Sequence, residues 1–186
     1  GPEDVIVYPT VAYPTYDIGA NIVGATSVTA DSLDQLDEDT RSRVKLVWIN
    51  SPANPTGIVT DAPAMRAIVD DARQLGAVIA SDECYAELGW EQWEQTPVPS
   101  VLHDSVSGGD LTGLLSVYSL SKQSNMAGYR AAFVAGDTTL IAALINLRSH
   151  TGMVVPGPIQ DAMIAALADE DHVQQQKARY RRRREQ

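Results

Sequence analysis

Cysteine occurs once in this chain, at Cys84. No intrachain disulfide can therefore form, and a cytoplasmic setting is expected. Histidine is almost as scarce: His103, His150 and His172 stand too far apart in sequence to suggest a metal site. No apolar run approaches the ~18 residues that a membrane-spanning helix needs, so no membrane partner is expected. Asp4 lies just ahead of a short apolar run and no basic segment precedes it, so no signal peptide is expected either. Positive charge is in deficit, with 14 Lys and Arg against 24 Asp and Glu and a formal charge of −10. That balance argues against wholesale nucleic-acid binding. Internal repeats and low-complexity linkers are absent. No Gly-x-Gly-x-x-Gly follows a strand, and Ser107-Gly108-Gly109 reads as a plain loop.

What is present is a regular alternation of apolar runs and helical patterns. At 186 residues and 44% hydrophobic content, the chain fits one domain with a real core. "VIVYP" (5–9) predicts a strand, "PTYDIGANIVG" (14–24) a helix and "ATSVTA" (25–30) a short strand. "VKLVWIN" (44–50) is β-branched, aromatic and nearly continuous in apolar character, which predicts a strand buried on both faces. "SPANPTG" (51–57) breaks the pattern. A helix follows, with Thr60 or Asp61 as its cap, Met65, Ile68, Val69, Ala72 and Leu75 at helical spacing, and Gly76 at its end. Further strands are expected at "AVIASDE" (77–83), "LLSVYSLS" (114–121) and "RAAFVAG" (130–136). "DTTLIAALINLRSH" (137–150) predicts a helix, and a last helix runs from about Pro158 with a break near Asp169. The basic run Arg181–Arg184, after Lys177, Arg179 and Tyr180, reads as a solvated helix end or a connecting helix rather than a nucleic-acid patch.

This alternation predicts the α/β class: a three-layer α/β/α sandwich around a mostly parallel sheet. In such sheets ligands sit at the carboxyl ends of the strands. The polar residues follow that rule. Asn54 comes just after the strand ending at Asn50, Asp82 and Tyr85 end the next, and Ser119 and Lys122 end the one after.

The residue types at these ends suit one chemistry. A lysine becomes a nucleophile toward carbonyls when burial or nearby cations lower its pKa, and pyridoxal phosphate is the commonest carbonyl partner of such a lysine. That cofactor needs a carboxylate for its ring nitrogen, hydroxyls and an arginine fork for its phosphate, donors for its phenolic oxygen and a flat group for its ring. Asp82, Ser119 with Arg130, Asn54 with Tyr85, and Tyr13 provide these in turn. Singly, each has a plain explanation: a solvated lysine, a turn-forming aspartate, an ordinary Asn-Pro turn, partly buried tyrosines. Cys84, between Glu83 and Tyr85, reads as a packing residue.

Together they resemble a family. "YPTY" (13–16), "NPTG" (54–57), "SDECY" (81–85) and "SLSKQSNMAGYR" (119–130) appear in the order and at the spacing of class I/II aminotransferases, pyridoxal-phosphate enzymes of fold type I. One departure is Tyr129, where many relatives carry tryptophan. The resemblance implies that Lys122 binds the cofactor covalently and moves the proton, and that Asp82 pairs with the ring nitrogen. It implies Asn54 and Tyr85 as donors to the phenolic oxygen, Ser119, Ser121 and Arg130 as phosphate ligands, and Tyr13 as the stacking ring. It also implies amino-acid and keto-acid substrates and a homodimer, with "SHTGMVVPGP" (149–158) approaching the partner's site. Residues 1–168 would form the large cofactor-binding domain without its N-terminal part. Residues 169–186 would begin a helix leading to a small C-terminal domain. "SPANPTG", "SDECYAELGW" and "GMVVPGPIQDAM" are most similar to the actinobacterial N-succinyldiaminopimelate aminotransferase type of lysine biosynthesis. Aspartate-type and LL-diaminopimelate-type aminotransferases are the nearest alternatives.

Readings from other classes stay open. Ser119-x-x-Lys122 matches the Ser-x-x-Lys pattern of penicillin-recognising enzymes, but the Ser-Asp-Asn and Lys-Thr-Gly partners do not occur. An aminotransferase-like ligand sensor of a regulator would keep Lys122 and Asp82. β-Elimination or cyclisation would use the same cofactor residues.

Overall fold

The strand Val44–Asn50 is the longest in the sheet and lies inside it, as its continuous apolar character requires. The computed structural model describes residues 1–186. Its strands are β1 (Val5–Tyr8), β2 (Thr26–Thr29), β3 (Val44–Asn50), β4 (Val78–Asp82), β5 (Leu114–Ser119) and β6 (Ala132–Gly136). The helices are α1 (Thr15–Ile22), α2 (Glu38–Ser42), α3 (Ala62–Gln74), α4 (Asp104–Ser107), α5 (Leu120–Gln123), α6 (Thr138–Thr151), α7 (Gly157–Leu167) and α8 (Glu170–Arg184). The six strands are ordered β2-β1-β3-β4-β5-β6. All neighbours are parallel except β5 and β6, which run antiparallel. The chain leaves β1 toward β2 and returns to β3 on the other side. The carboxyl ends of β1 and β3 therefore flank a switch point, where crevices form in open α/β sheets.

Strand alternation sorts the two faces. Val5, Val7, Val47, Ile49, Ile79 and Leu114 point to one face and pack with Met65, Val69 and Ala72 of α3 and Val106 of α4. Tyr8 and Trp48 point to the other, where Tyr16 of α1 lies against both rings, 6.3 and 4.9 Å between centroids. The cap of α3 is Asp61, whose carboxylate accepts the Ala64 N–H at 2.9 Å. Gly76 follows with φ +64°. A smaller cluster of Leu120, Ala131 and Met163 joins α5 and α7 beside β6.

Several boundaries differ from the sequence reading for local reasons. β5 stops at Ser119 because the Ser119 hydroxyl accepts the Ser121 N–H at 3.2 Å and starts α5. α6 begins after Asp137, which accepts from Thr139 and Leu140 N–H. The break between α7 and α8, by contrast, falls where the sequence places it, at Asp169, the cap of α8. The basic run ends α8, yet it is not merely solvated: the Arg181 and Arg184 guanidiniums lie 5.9 and 4.4 Å from the Trp90 ring centroid. No helix is long and apolar enough to cross a membrane.

Candidate active site

Asp82 is the last residue of β4, in register with Asn50 of β3 and Val117 of β5. Its carboxylate is held from two directions. The Tyr16 hydroxyl donates to Oδ2 at 2.8 Å, and the Cys84 N–H donates to Oδ1 at 3.2 Å. Tyr16 is only 4% exposed. Burial, then the Asp82 charge, pushes its hydroxyl well above the usual tyrosine range. The same two causes push the Cys84 thiol up to about 12, so this cysteine is an inert neighbour of the site.

Asn50 joins the adjoining loop to this strand end. Its Nδ2 donates to the carbonyls of Asp82 at 3.1 Å and Pro52 at 3.3 Å, and its Oδ1 accepts the Asn54 N–H at 2.8 Å. One buried amide thus fixes the position of Asn54 relative to Asp82. Both X-Pro bonds of the loop, Ser51-Pro52 and Asn54-Pro55, are cis.

The loops after β4 and β5 meet at Lys122, whose Nζ lies 5.5 Å from the Tyr85 ring centroid. The Ser119 hydroxyl bonds that of Ser121 at 2.8 Å. Arg130 stands at the far end of the same connection, exposed and left-handed at φ 56°, with Nη1 donating to the Ala127 carbonyl at 3.0 Å. Tyr13 lies half exposed in the β1–α1 connection and stacks on no other aromatic ring. The structure therefore joins Lys122 to Tyr85, Ser119 to Ser121, and Asp82 to Asn54 through Asn50. Tyr13 and Arg130 remain apart from these contacts. No cluster of three or more His, Cys, Asp or Glu side chains is placed to hold a metal ion.

Sequence reasoning missed Tyr16, Asn50 and Glu83. Tyr16 closes the quoted "YPTY", three residues after Tyr13, and Asn50 is the one polar residue ending a long apolar strand. Both signals were visible. Glu83 is 4% exposed and accepts from the Val101 N–H at 2.8 Å and the Ser116 hydroxyl at 2.9 Å, so it pins the return of the long β4–β5 connection. Those partners are distant in sequence, and no local pattern marks them. A cleft of about 460 Å³ opens nearby, at the ends of β1 and β3 beside α3. Pro9, Val11, Asn50, Ala53 and Ile58 are among its lining residues, whereas Lys122, Asp82 and Tyr85 are not.

A carboxylate braced at one strand end, a lysine at the next and a hydroxyl pair beside it suit a planar, cationic-ring phosphate ester with a reactive carbonyl. The sheet order and helical cover are those of fold-type I transferases. Residues 1–186 match the family described as aminotransferase class I and II, and the chain belongs to this pyridoxal-phosphate-dependent family. A probable aminotransferase of Mycobacterium tuberculosis is 50% identical over 184 residues, covering 99% of this chain and 42% of that protein. The 4-dedimethylamino-4-oxo-anhydrotetracycline transaminase of Streptomyces rimosus is 48% identical, covering 99% and 49%. An LL-diaminopimelate aminotransferase of Aquifex aeolicus is 33% identical, covering 98% and 48%. Among solved structures, an aminotransferase of Neisseria meningitidis superposes with a TM-score of 0.88 at 33% identity, covering 96% of this chain and 47% of that one. N-succinyldiaminopimelate aminotransferase of M. tuberculosis superposes with a TM-score of 0.84 at 26% identity, covering 99% and 49%. The chain spans about half the length of the curated relatives it matches.

Proposed function

We propose that this chain carries the cofactor-holding part of an aminotransferase that moves an amino group between glutamate and a keto acid. The observation that carries the reading is the braced Asp82 carboxylate at the end of β4 with Lys122 over Tyr85 one loop away. Asp82 would hold the protonated ring nitrogen, and Tyr16 and the Cys84 N–H would hold Asp82. Asn54 and Tyr85 would donate to the phenolic oxygen. Ser119, Ser121 and Arg130 would bind the phosphate, Arg130 after turning from the Ala127 carbonyl. Tyr13, free of other stacking partners, would cover the ring face. Pyridoxal phosphate, when bound, supplies an electron sink for charge developing at the substrate carbon. Lys122 would hold the cofactor through its Nζ and, once displaced by the substrate amine, would carry the proton from the substrate α carbon to the cofactor carbon it had held.

The keto acid proposed is N-succinyl-2-amino-6-ketopimelate. Support comes from the segments "SPANPTG", "SDECYAELGW" and "GMVVPGPIQDAM" and from the likeness to the M. tuberculosis enzyme of that name. A second reading, a bulkier cyclic ketone, is favoured by the 48% identity to the 4-dedimethylamino-4-oxo-anhydrotetracycline transaminase. LL-diaminopimelate is the third candidate substrate. The complete protein would work as a cytoplasmic homodimer, with residues 149–158 near the partner. Residues 1–168 would form the large domain, and residues 169–186 would lead to the small one.

The test uses the complete protein. It is mixed with pyridoxal phosphate, freed of excess by gel filtration and reduced with borohydride, and its peptides are mapped by mass spectrometry. An adduct on Lys122, lost in Lys122→Ala, is expected; a folded protein without one would sink the proposal. Comparing kcat/KM for the two keto acceptors with glutamate as donor, and for LL-diaminopimelate as donor with 2-oxoglutarate as acceptor, then decides between the substrates.

A further inference from the structure

Helix α8 is fastened at both ends to the segments that meet at Lys122. At its first turn, His172 Nε2 lies 2.8 Å from the Ser124 hydroxyl, two residues beyond Lys122. At its last turn, Arg184 stacks on Trp90 at 4.4 Å, and Arg181 pairs with Glu94 at 2.9 Å. Trp90 and Glu94 belong to the segment that follows Tyr85. One helix therefore bridges the two loops whose contact is Lys122 over Tyr85.

The His172 contact is built rather than incidental. Its side chain is only 29% exposed, and Nδ1 lies 3.3 Å from Asp169 Oδ2. Asp169 is itself fixed as the α8 cap, accepting the N–H groups of Asp171 and His172. With Nδ1–H directed at Asp169, the neutral ring offers Nε2 as acceptor to the Ser124 O–H. A protonated ring would donate to the same oxygen, so the link survives in either state. Val173 anchors the helix beside it, 6% exposed. Ser124 closes α5, its N–H donating to the Leu120 carbonyl at 3.2 Å, so a pull on Ser124 is a pull on the turn that carries Lys122.

We propose that His172 is a positioning residue for Lys122: through Ser124 it couples the placement of helix α8 to that of the lysine. The proposal rests on the reading of Lys122 as the cofactor lysine.

The test compares His172→Ala, His172→Gln, Ser124→Ala and the double alanine variant in the complete protein. Amide exchange of peptides covering 119–130 reports the coupling without any cofactor. The visible circular dichroism of bound pyridoxal phosphate reports the tilt of the ring held by the lysine. His172→Ala and Ser124→Ala should each speed exchange in 119–130 by about three- to tenfold, the effect of losing one side-chain hydrogen bond. Both should change the dichroic band. The double variant should be no worse than either single, since both remove one bond. His172→Gln should restore most of the protection and the band. Unchanged exchange in His172→Ala, additive effects in the double variant, or an unchanged dichroic band would each overturn the proposal. If His172→Ala fails to fold, Ser124→Ala carries the same test. Absence of a borohydride adduct on Lys122 in the unaltered protein would instead overturn the cofactor reading, and exchange would still decide the coupling.

Discussion

Tyr16 and Asp82, 66 residues apart in sequence, are joined by a 2.8 Å hydrogen bond from the tyrosine hydroxyl to the carboxylate. The first turn of α1 is thereby tied to the end of β4, with the tyrosine ring sandwiched near Trp48 and Tyr8. Tyr16→Phe keeps the ring and removes the bond. Stability should fall by about 1–2 kcal/mol in urea denaturation. Pyridoxal phosphate should dissociate several-fold more readily in equilibrium dialysis, because Asp82 loses one of its two restraints. Unaltered affinity would deny Tyr16 a positioning role.

Asp82→Asn separates charge from shape. The amide oxygen can still accept from Tyr16, but the amide nitrogen then faces the Cys84 N–H, so urea stability should fall by about 1–2 kcal/mol. The charge that favours a protonated ring is gone, and kcat with glutamate should drop by about a hundredfold or more. Equal losses of stability and activity would point to a structural role alone.

The buried hydroxyls and thiol predict an alkaline weakness. Burial raises Tyr16 and Tyr118, with the Asp82 charge adding for Tyr16 and the Glu87 charge for Tyr118. Burial and Asp82 push Cys84 from 9.0 to about 12. A raised pKa means the folded state keeps a proton that the unfolded chain releases. The associated stability is complete below about pH 9 and declines as pH rises toward 12. Urea midpoints should be flat up to that point and then fall, with Cys84→Ala removing the earliest part of the decline. At pH 8, alkylation of Cys84 should be at least about a hundredfold slower than that of a free peptide cysteine. A normal rate would contradict the burial argument.

Gly136 admits no side chain. Its φ is +138°, and a Cβ there would lie 2.0 Å from the Leu114 carbonyl oxygen. Because backbone rather than a flexible side chain blocks the space, Gly136→Ala should cost about 2–4 kcal/mol. A urea midpoint within error of the parent would show that β6 can shift freely.

Met153 is 57% exposed beside Val154, just past the end of α6, where Ile145 and Leu147 are exposed as well. Met153→Asp should weaken self-association of the complete protein in sedimentation velocity, by about tenfold or more. An unchanged dimer would place the interface elsewhere.

How much of this was legible in the sequence depended on range. β3 and α3 show in the sequence through apolar runs and helical spacing, and Asp61 is one of the two cap residues, with Thr60, that precede α3. The placement of Asn54, Asp82, Ser119 and Lys122 after successive strands followed from those runs. α2 and α4 are too short for a period to show, being five and four residues long. The antiparallel entry of β6 depends on pairing rather than composition, and nothing in "RAAFVAG" gives its direction. The Trp90–Arg184 stack and the His172–Ser124 bond join distant segments, so no local pattern could reveal them. Tyr16 was overlooked for another reason: two tyrosines share one motif, and only the backbone turn decides which is buried.

The antiparallel pairing of β5 and β6 has a wider consequence. Ser119 faces Ala132 on the ladder, and Leu115 faces Gly136, so the excursion from 120 to 131 leaves and rejoins the sheet at a single rung. Leu120 N–H closes its mouth on the Ala131 carbonyl. The excursion works like a caliper whose jaws are set by the frame, with Lys122 on one arm and Arg130 on the other. The tip around Asn125–Gly128 is tied to the same frame, because Met126 donates its N–H to the Leu120 carbonyl and packs against Leu120, Ala131 and Met163, so a change in the handle is felt at the jaws.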